Sequence, residues 1–457
     1  MSDETPASAF FDVRPHERRI AALMAGYFFL VITSFWILKP LKKTLFIGHY
    51  HASSSFELLG QSYTASEAEL LAKVSNMVVA AIAAITFSLL SRKLRRERLS
   101  IVFTAFFIVS YGIFALALEH PSSLAVWSFY LFGDLFSTLM VAAFFSFLND
   151  SVSPDGAKRL YGIVGFGGVA GGVFGSTAVS AWIGSLSLVA WLGVTTVLGV
   201  LILAVAWAAG REYERTAGSS ARADSRRSED RERASPKPDE PPALAGVGLI
   251  FGSTYLLSIV AIVGIYEIVS TIVDFQFTTS IIEFSRSDAE RNQAFATVYA
   301  TTNWLSMFVQ LFLTSFIMRR FGMFTALLVL PCSIALASLC FMARPSLVLG
   351  GALSVSDNAF SYSINQSTKE ALYVPTSVAE KYQAKAFIDM FVQRFAKALG
   401  VGIGLIASIY FGGAEGVRSL SYFVLPALGI WAAAAAYAGR RFVALEAERS
   451  PQGDGHD

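Results

Sequence analysis

Residues 211–242 read REYERTAGSSARADSRRSEDRERASPKPDEPP, and this stretch decides how the rest of the chain is divided. Arg, Glu, Asp, Ser and Pro fill it, with almost no large apolar side chain. It has nothing with which to bury a core and is expected to be a disordered or weakly helical linker. On either side the composition inverts. Apolar segments lie near 20–46, 70–91, 100–118, 124–149, 161–183 and 186–209 before it, and near 245–282, 292–318, 323–342, 346–373, 385–412 and 418–439 after it. Most are about twenty residues long, which lets a helix cross the roughly 30 Å of bilayer hydrocarbon. The chain is 54% hydrophobic and 15% charged, whereas a soluble domain carries about a quarter charged residues. The expectation is an all-α integral membrane protein of about twelve transmembrane helices. Its parts are a tail 1–19, a six-helix half 20–209, a charged linker 210–244, a second six-helix half 245–440 and a tail 441–457.

Several function classes fall away. Net charge is +2, so no global field points to nucleic acid. Met1 to Phe11 carries Asp3 and Glu4 and has no short apolar core with a cleavage site, so it reads as a soluble tail rather than a signal peptide. The two cysteines, Cys332 and Cys340, share one apolar run and are expected to be small buried side chains. The five histidines show no metal-ligand spacing, and no Ser-His-Asp or Cys-His set is evident. No enzyme, metal, cofactor or obligate protein partner is expected; the partners are the lipid bilayer and a small solute.

Lys and Arg in the loops predict orientation. Arg14, Arg18 and Arg19, the loop with Arg92, Lys93, Arg95, Arg96 and Arg98, and Lys158-Arg159 fall on one side. The linker, Arg319-Arg320, Lys381 and Arg440-Arg441 join them. The other side has none between His49 and Glu69, and then only Arg286, Arg291, Arg344 and Arg418. Both termini are therefore expected to be cytoplasmic. The halves also echo one another. Ser91-Arg92-Lys93 corresponds to Met318-Arg319-Arg320, and Asp150-Ser-Val-Ser-Pro154 to Glu370-Ala-Leu-Tyr-Val-Pro375. Offsets of about 220–230 residues in one membrane orientation describe a parallel repeat, as in major-facilitator-like transporters with substrate near the midplane.

Charges inside apolar helices are costly, about 2.5–3.5 kcal/mol each at the bilayer centre on insertion scales, and normally face the bundle interior. Helix one carries Lys39, Lys42 and Lys43 after Pro40. These lysines either snorkel to the interface or group to meet a polyanion. Helix four places Asp134, Thr138 and Asn149 on roughly one stripe, and helix seven does so with Glu267, Thr271, Asp274 and Thr278. Either carboxylate fits a structural ion pair, a proton-coupling site or a gate in the substrate cycle. Helix ten, with Asp357, Asn358, Tyr362, Asn365, Gln366, Lys369 and Glu370, is expected to wall a wet cavity. In helix eleven, Lys385, Asp389, Gln393 and Lys397 recur every four residues beside Arg394, and Lys385 with Asp389 makes an i, i+4 pair. The run from Gly165-Phe-Gly-Gly168 to Gly175 looks like a phosphate loop but lacks a Gly-Lys-Ser/Thr ending and a preceding strand. Its spacings fit close helix packing instead.

Taken together, these residues resemble the non-mitochondrial ATP/ADP translocases, nucleotide transporters of plastids and intracellular bacteria with relatives in other bacteria. The resemblance is carried by Ser367-Thr-Lys-Glu-Ala-Leu-Tyr-Val-Pro375 continuing to Lys385-Ala-Phe-Ile-Asp389 and Lys397. Leu38-Lys-Pro-Leu-Lys-Lys-Thr-Leu45, Asp134-Leu-Phe-Ser137 through Asn149-Asp150 to Ala157-Lys-Arg-Leu-Tyr161, and Val273-Asp-Phe275 agree with it. It spans the chain apart from the tails and linker. It implies that substrate-related charges fall on Lys42, Asp134, Asp274 and Lys369. The chain departs from the family pattern by having Asp134 and Asp274 where glutamate is usual, and Lys43 where an acidic residue is usual.

The function that follows as an expectation is alternating-access exchange of nucleotides or a related phosphorylated anion across a bacterial-type inner membrane. Lys42 and Lys369 would bind phosphates as point charges, with Lys39, Lys43, Lys385 and Arg394 raising the potential of the site. Asp134 and Asp274 would pair with these lysines in the empty carrier, and Asn149, Asn365 and Asp389 complete the candidate set. Two alternatives stay open: a proton-coupled carrier of another organic anion, and a non-transporting accessory protein that docks a partner through its linker.

Overall fold

The computed structural model describes residues 18–52, 56–58, 60–151, 154–216, 248–377, 380–411 and 413–449. Residues 1–17 and 450–457 of the predicted tails, most of the 210–244 linker, and the side chains of Lys158 and Arg159 lie outside them; the rest of each tail belongs to the first and last helices. Helix α1 (Arg18–Ala52) leads through a small hairpin, β1 (Phe56–Leu58) and β2 (Gln61–Tyr63), to α2 (Ala65–Lys93). The hairpin is antiparallel with Phe56 opposite Tyr63, and Gly60 turns it with φ +79°. Then come α3 (Arg96–Ala117), α4 (Ser123–Ser151), α5 (Pro154–Trp182), α6 (Leu188–Thr216), α7 (Thr254–Phe284), α8 (Asp288–Phe308) and α9 (Thr314–Ala343). The last four are α10 (Leu347–Phe360), α11 (Gln366–Ala371), α12 (Gln393–Phe411) and α13 (Gly413–Arg449).

Among the described residues, ten helices are long and apolar enough to cross a membrane. One of them, Asp288–Ala343, has 56 residues. At 1.5 Å per residue it would be roughly 84 Å long, far more than one crossing needs. It breaks at Gly322, where φ is +79° and ψ 177°, a conformation open essentially to glycine alone. It is therefore two crossings. Leu347–Ala371, interrupted by a π-helical turn at Ser361–Asn365, supplies the remaining one. The protein is thus an all-α integral membrane protein, and the described residues make twelve crossings. Its outward surface agrees: Val78, Ile82, Ile85 and Leu89 of α2 are all exposed, at the three- and four-residue spacing of one helical face. A water-soluble chain would not present such a stripe, and lipid solvates it without cost.

The residues group into two compact units, 1–55 with 75–236 and 56–74 with 237–457. The division at the start of α2 departs from the predicted halves, which cut the chain only in the linker. Glu69 and Lys73 bond to residues of α7, and this holds 56–74 to the second unit. Helix α6 also runs past the predicted start of the linker at 210 as far as Thr216. Glu212 there takes Arg19 at 3.3 Å, and the Arg211 guanidinium lies 4.0 Å from the Trp207 ring.

In the first unit α1 packs most extensively on α5. Gly167, Gly171 and Gly175 meet the backbone carbonyls of Ala25, Phe29 and Thr33, and the Thr33 hydroxyl donates to Gly171 O at 3.2 Å. Repeats of four on both helices let the backbones touch. An aromatic core surrounds this seam, with the Phe28 and Phe144 rings stacked 4.4 Å apart and Tyr27 edge-on to Phe144 at 5.1 Å. The second unit is built around α7, which packs most on α13 and then α12. Trp431, Ile272, Val273, Leu353 and Leu372 are fully buried in its core. Cys332 and Cys340 are free and exposed, not buried as expected. Hydropathy marked their helix as apolar but did not say which face meets lipid.

Candidate functional site

Each unit holds its own set of buried charges. In the first, Lys42 Nζ lies 2.5 Å from Asp134 Oδ1, with the lysine side chain 7% and the aspartate 36% exposed. Pro40 in α1 cannot donate a helical hydrogen bond, yet α1 continues through Lys42 and Lys43 to Ala52. Both lysines are buried, so they do not snorkel. The Lys42 ammonium also lies 4.4 Å from the Tyr130 ring, a favourable cation–π contact. Gly133 makes this route available: a Cβ there would fall 2.6 Å from Lys42 Cδ. Asp134 has a second donor, the side-chain amide of Asn76 on α2. Lys39, one turn before Lys43, has its Nζ 4.6 Å from the Trp36 ring.

Asn149 and Asp150 lie at the end of α4, away from this cluster in sequence and in bonding. The Tyr161 hydroxyl donates to Asn149 Oδ1, and Asp150 lies 3.8 Å from Arg96. Asn149 shares the predicted stripe with Asp134 but is joined to the start of α5.

In the second unit Asp274 of α7 pairs with Lys73 of α2. Asp134 and Asp274 were expected on the candidate lysines; Asp134 meets Lys42, and Asp274 is met by Lys73, which lies outside that set. One turn further along α7, Thr278 donates to Glu69 Oε2 at 3.1 Å. Glu69, Lys73 and Asn76 stand at i, i+4 and i+7 on α2, so a polar stripe in an otherwise apolar helix was present in the sequence. Hydropathy masks it, because Lys73 and Asn76 are isolated in the apolar run 70–91 and Glu69 falls just outside it.

The remaining predicted residues cluster where α10 to α12 are least regular. Asp357 is 1% exposed and accepts from Ser270 Oγ at 2.6 Å, and the Tyr266 and Ser361 hydroxyls are 2.6 Å apart. Asn365 is buried on the π-helical turn Ser361–Asn365. Lys369 lies within Coulombic reach of Glu267 and of Asp389. Lys385 pairs with Glu370 Oε2 at 2.5 Å rather than with Asp389, whose Oδ1 accepts from Gln393 at 2.8 Å. The reason is local backbone. Residues 380–384 and 388–392 wind as π turns, which rotate successive side chains away from the ideal i, i+4 register. Arg394 and Lys397 are exposed. Sites that carry π turns are often functional, and here three of them bracket the lysines.

Buried, paired charges lie on helices that cross a membrane, the mark of a functional integral membrane protein, and comparison with known proteins gives its family. The family model of the Major Facilitator Superfamily matches residues 20–387. Solved structures of the same architecture include the nucleoside transporter NupG, at TM-score 0.59 and 12% identity over 93% of this chain and 99% of that one. A bacterial homologue of the human lysosomal transporter Spinster aligns at TM-score 0.56 and 14% identity, over 95% and 99%. At these identities the likeness is one of fold. Among curated relatives, ADP,ATP carrier protein 2 of Chlamydia trachomatis is 24% identical over 359 residues, 70% of this chain and 66% of its own length. ADP,ATP carrier protein 1, chloroplastic, of Arabidopsis thaliana is 21% identical over 431 residues, 79% of this chain and again 66% of the relative. The chain thus spans just under two thirds of these relatives. It belongs to the Major Facilitator Superfamily and is a membrane transporter of that type.

Proposed function

We propose that the chain is an alternating-access exchanger of nucleotides of the ATP/ADP type, or of a closely related phosphorylated anion, with both termini cytoplasmic in an inner membrane. The single observation that supports this reading most is the nearly buried Lys42 held at 2.5 Å by Asp134. A lysine is a compact point charge that exchanges one oxygen partner for another with little geometric loss. The carboxylate keeps the ammonium partnered while the carrier is empty, and a substrate phosphate takes over when it is loaded. Lys369 adds a positive charge near Glu267 and Asp389 in the second unit and would meet a second substrate oxygen. Lys39, Lys43, Lys385 and Arg394 add positive potential. The curated relatives named as ADP,ATP carriers point to the nucleotide as the anion.

The test is uptake of labelled ATP, ADP and other phosphorylated solutes into proteoliposomes, with wild type, Lys42→Ala and Lys369→Ala compared. Each substitution is expected to lower uptake at least about tenfold, the loss of one charge-assisted contact. Uptake undiminished in both variants refutes the assignment of these lysines. Uptake of a different organic anion, accelerated by an imposed pH gradient and lost in Asp274→Asn, points to proton coupling instead.

A further inference from the structure

Helices α2 and α7 are joined in the second unit by two polar rungs one helical turn apart, and the rungs differ in a way that separates their roles. In the first, Thr278 donates to Glu69 at 3.1 Å, and both side chains are sealed: Glu69 is 2% and Thr278 0% exposed. In the second, Lys73 pairs with Asp274, with side chains 12% and 26% exposed. Leu70, between them on α2, fills the close approach left by Gly404 of α12. The start of α2 is thus held to α7 by the Glu69 rung and to α12 by apolar contact, beside the ion pair. An ion pair inside a membrane protein is a poor stabiliser for its cost, and this one is left partly open at its carboxylate end. The cation is a lysine, able to change partners, where a fixed structural pair would favour the bidentate fork of arginine.

We propose that Lys73 is an anion-binding lysine of the second unit, parked on Asp274 in the empty carrier and transferred to an anionic oxygen of the substrate on loading. This rests on the anion-exchange reading above and adds to it a residue that neither the comparisons nor the family resemblance assigns. The Glu69 rung stays in place during the transfer, so α2 does not undock when Lys73 changes partner.

The experiment measures concentration-dependent uptake of labelled ADP by wild type, Lys73→Gln, Lys73→Arg and the reversed pair Lys73→Asp with Asp274→Lys. Lys73→Gln is expected to raise KM about tenfold or more, as for loss of one charge-assisted contact, and Lys73→Arg, which keeps the charge but favours a fixed fork on Asp274, to transport more slowly than wild type. The reversed pair is expected to purify as well as wild type and to take up no ADP. In a background with Cys332→Ser and Cys340→Ser, which removes the two exposed thiols, ADP is expected to slow alkylation of Lys73→Cys. That second measurement keeps the test decisive if Lys73→Gln does not fold. A wild-type KM in Lys73→Gln, transport by the reversed pair, or alkylation indifferent to ADP overturns the proposal and leaves Lys73 as a structural counterion. Wild type that takes up no phosphorylated anion overturns the exchange reading itself, a separate outcome.

Discussion

Asp134→Leu alone is expected to give an unstable and inactive protein, whereas Lys42→Met with Asp134→Leu regains most of the stability and none of the transport. The asymmetry follows from where the charges sit. Lys42 is 7% exposed, with its ammonium 2.5 Å from Asp134 and 4.4 Å from the Tyr130 ring. Removing the carboxylate takes from a nearly buried ammonium its ion-pair partner. For a sealed pair, that loss is about 3–5 kcal/mol. Asp134 is 36% exposed, so the cost is expected at or below the lower end of that range. Replacing both partners with apolar side chains of similar volume removes the ammonium as well and is often neutral. Recovery is expected to be incomplete, because the Asn76 amide would lose its acceptor on Asp134. Thermal unfolding in detergent, read beside proteoliposome uptake, separates the two effects. A double variant that transports like wild type would show that Lys42 and Asp134 serve folding alone.

The second large effect is expected from Gly171→Leu, which should abolish accumulation of folded protein. A Cβ on Gly171 meets the Phe29 carbonyl, and those on Gly167 and Gly175 would lie 2.5 Å from Ala25 O and 2.6 Å from Thr33 O. These are backbone atoms and cannot rotate away, so α1 and α5 would have to separate. Separation breaks the Thr33 to Gly171 hydrogen bond and disturbs the Phe28–Phe144 stack, because both lie along the same seam. Overpacking a close-packed interior typically costs about 1–3 kcal/mol for added methylene groups, and an isobutyl group wedged between two backbones exceeds that. Gly184→Ala, where a Cβ meets nothing within 4 Å, is the control and should behave as wild type. Normal yield and thermal stability of Gly171→Leu would mean the two helices do not touch as described.

Much of the fold was legible in the sequence because hydropathy and helix length both report directly on the bilayer. The twelve apolar segments locate the crossings, including the pair fused into Asp288–Ala343, where the drop in hydropathy near Gly322 marks the break better than the helix itself does. The glycines of α5 were legible as packing residues, though the backbone seam runs through 167, 171 and 175 and Gly168 instead meets the Phe28 ring. Partner choice among the charges was less legible. Local spacing predicted Lys385 with Asp389, but the turn at 372–377 carries the chain back so that Glu370 meets Lys385. Sequence distance also hid Lys73, whose partner Asp274 stands two hundred and one positions away, and hydropathy hid the exposure of the cysteines. In each case the missing information was which face of a helix meets which neighbour, and a hydropathy profile does not carry that.

The most direct test of nucleotide exchange is uptake of labelled ADP into proteoliposomes holding wild-type protein, either preloaded with unlabelled ATP or left empty. The account predicts rapid uptake into the preloaded vesicles, little into the empty ones, and at least about tenfold less into the preloaded ones with Lys369→Ala. Equal uptake with and without internal nucleotide, or no ADP uptake by protein that moves another solute, would contradict it.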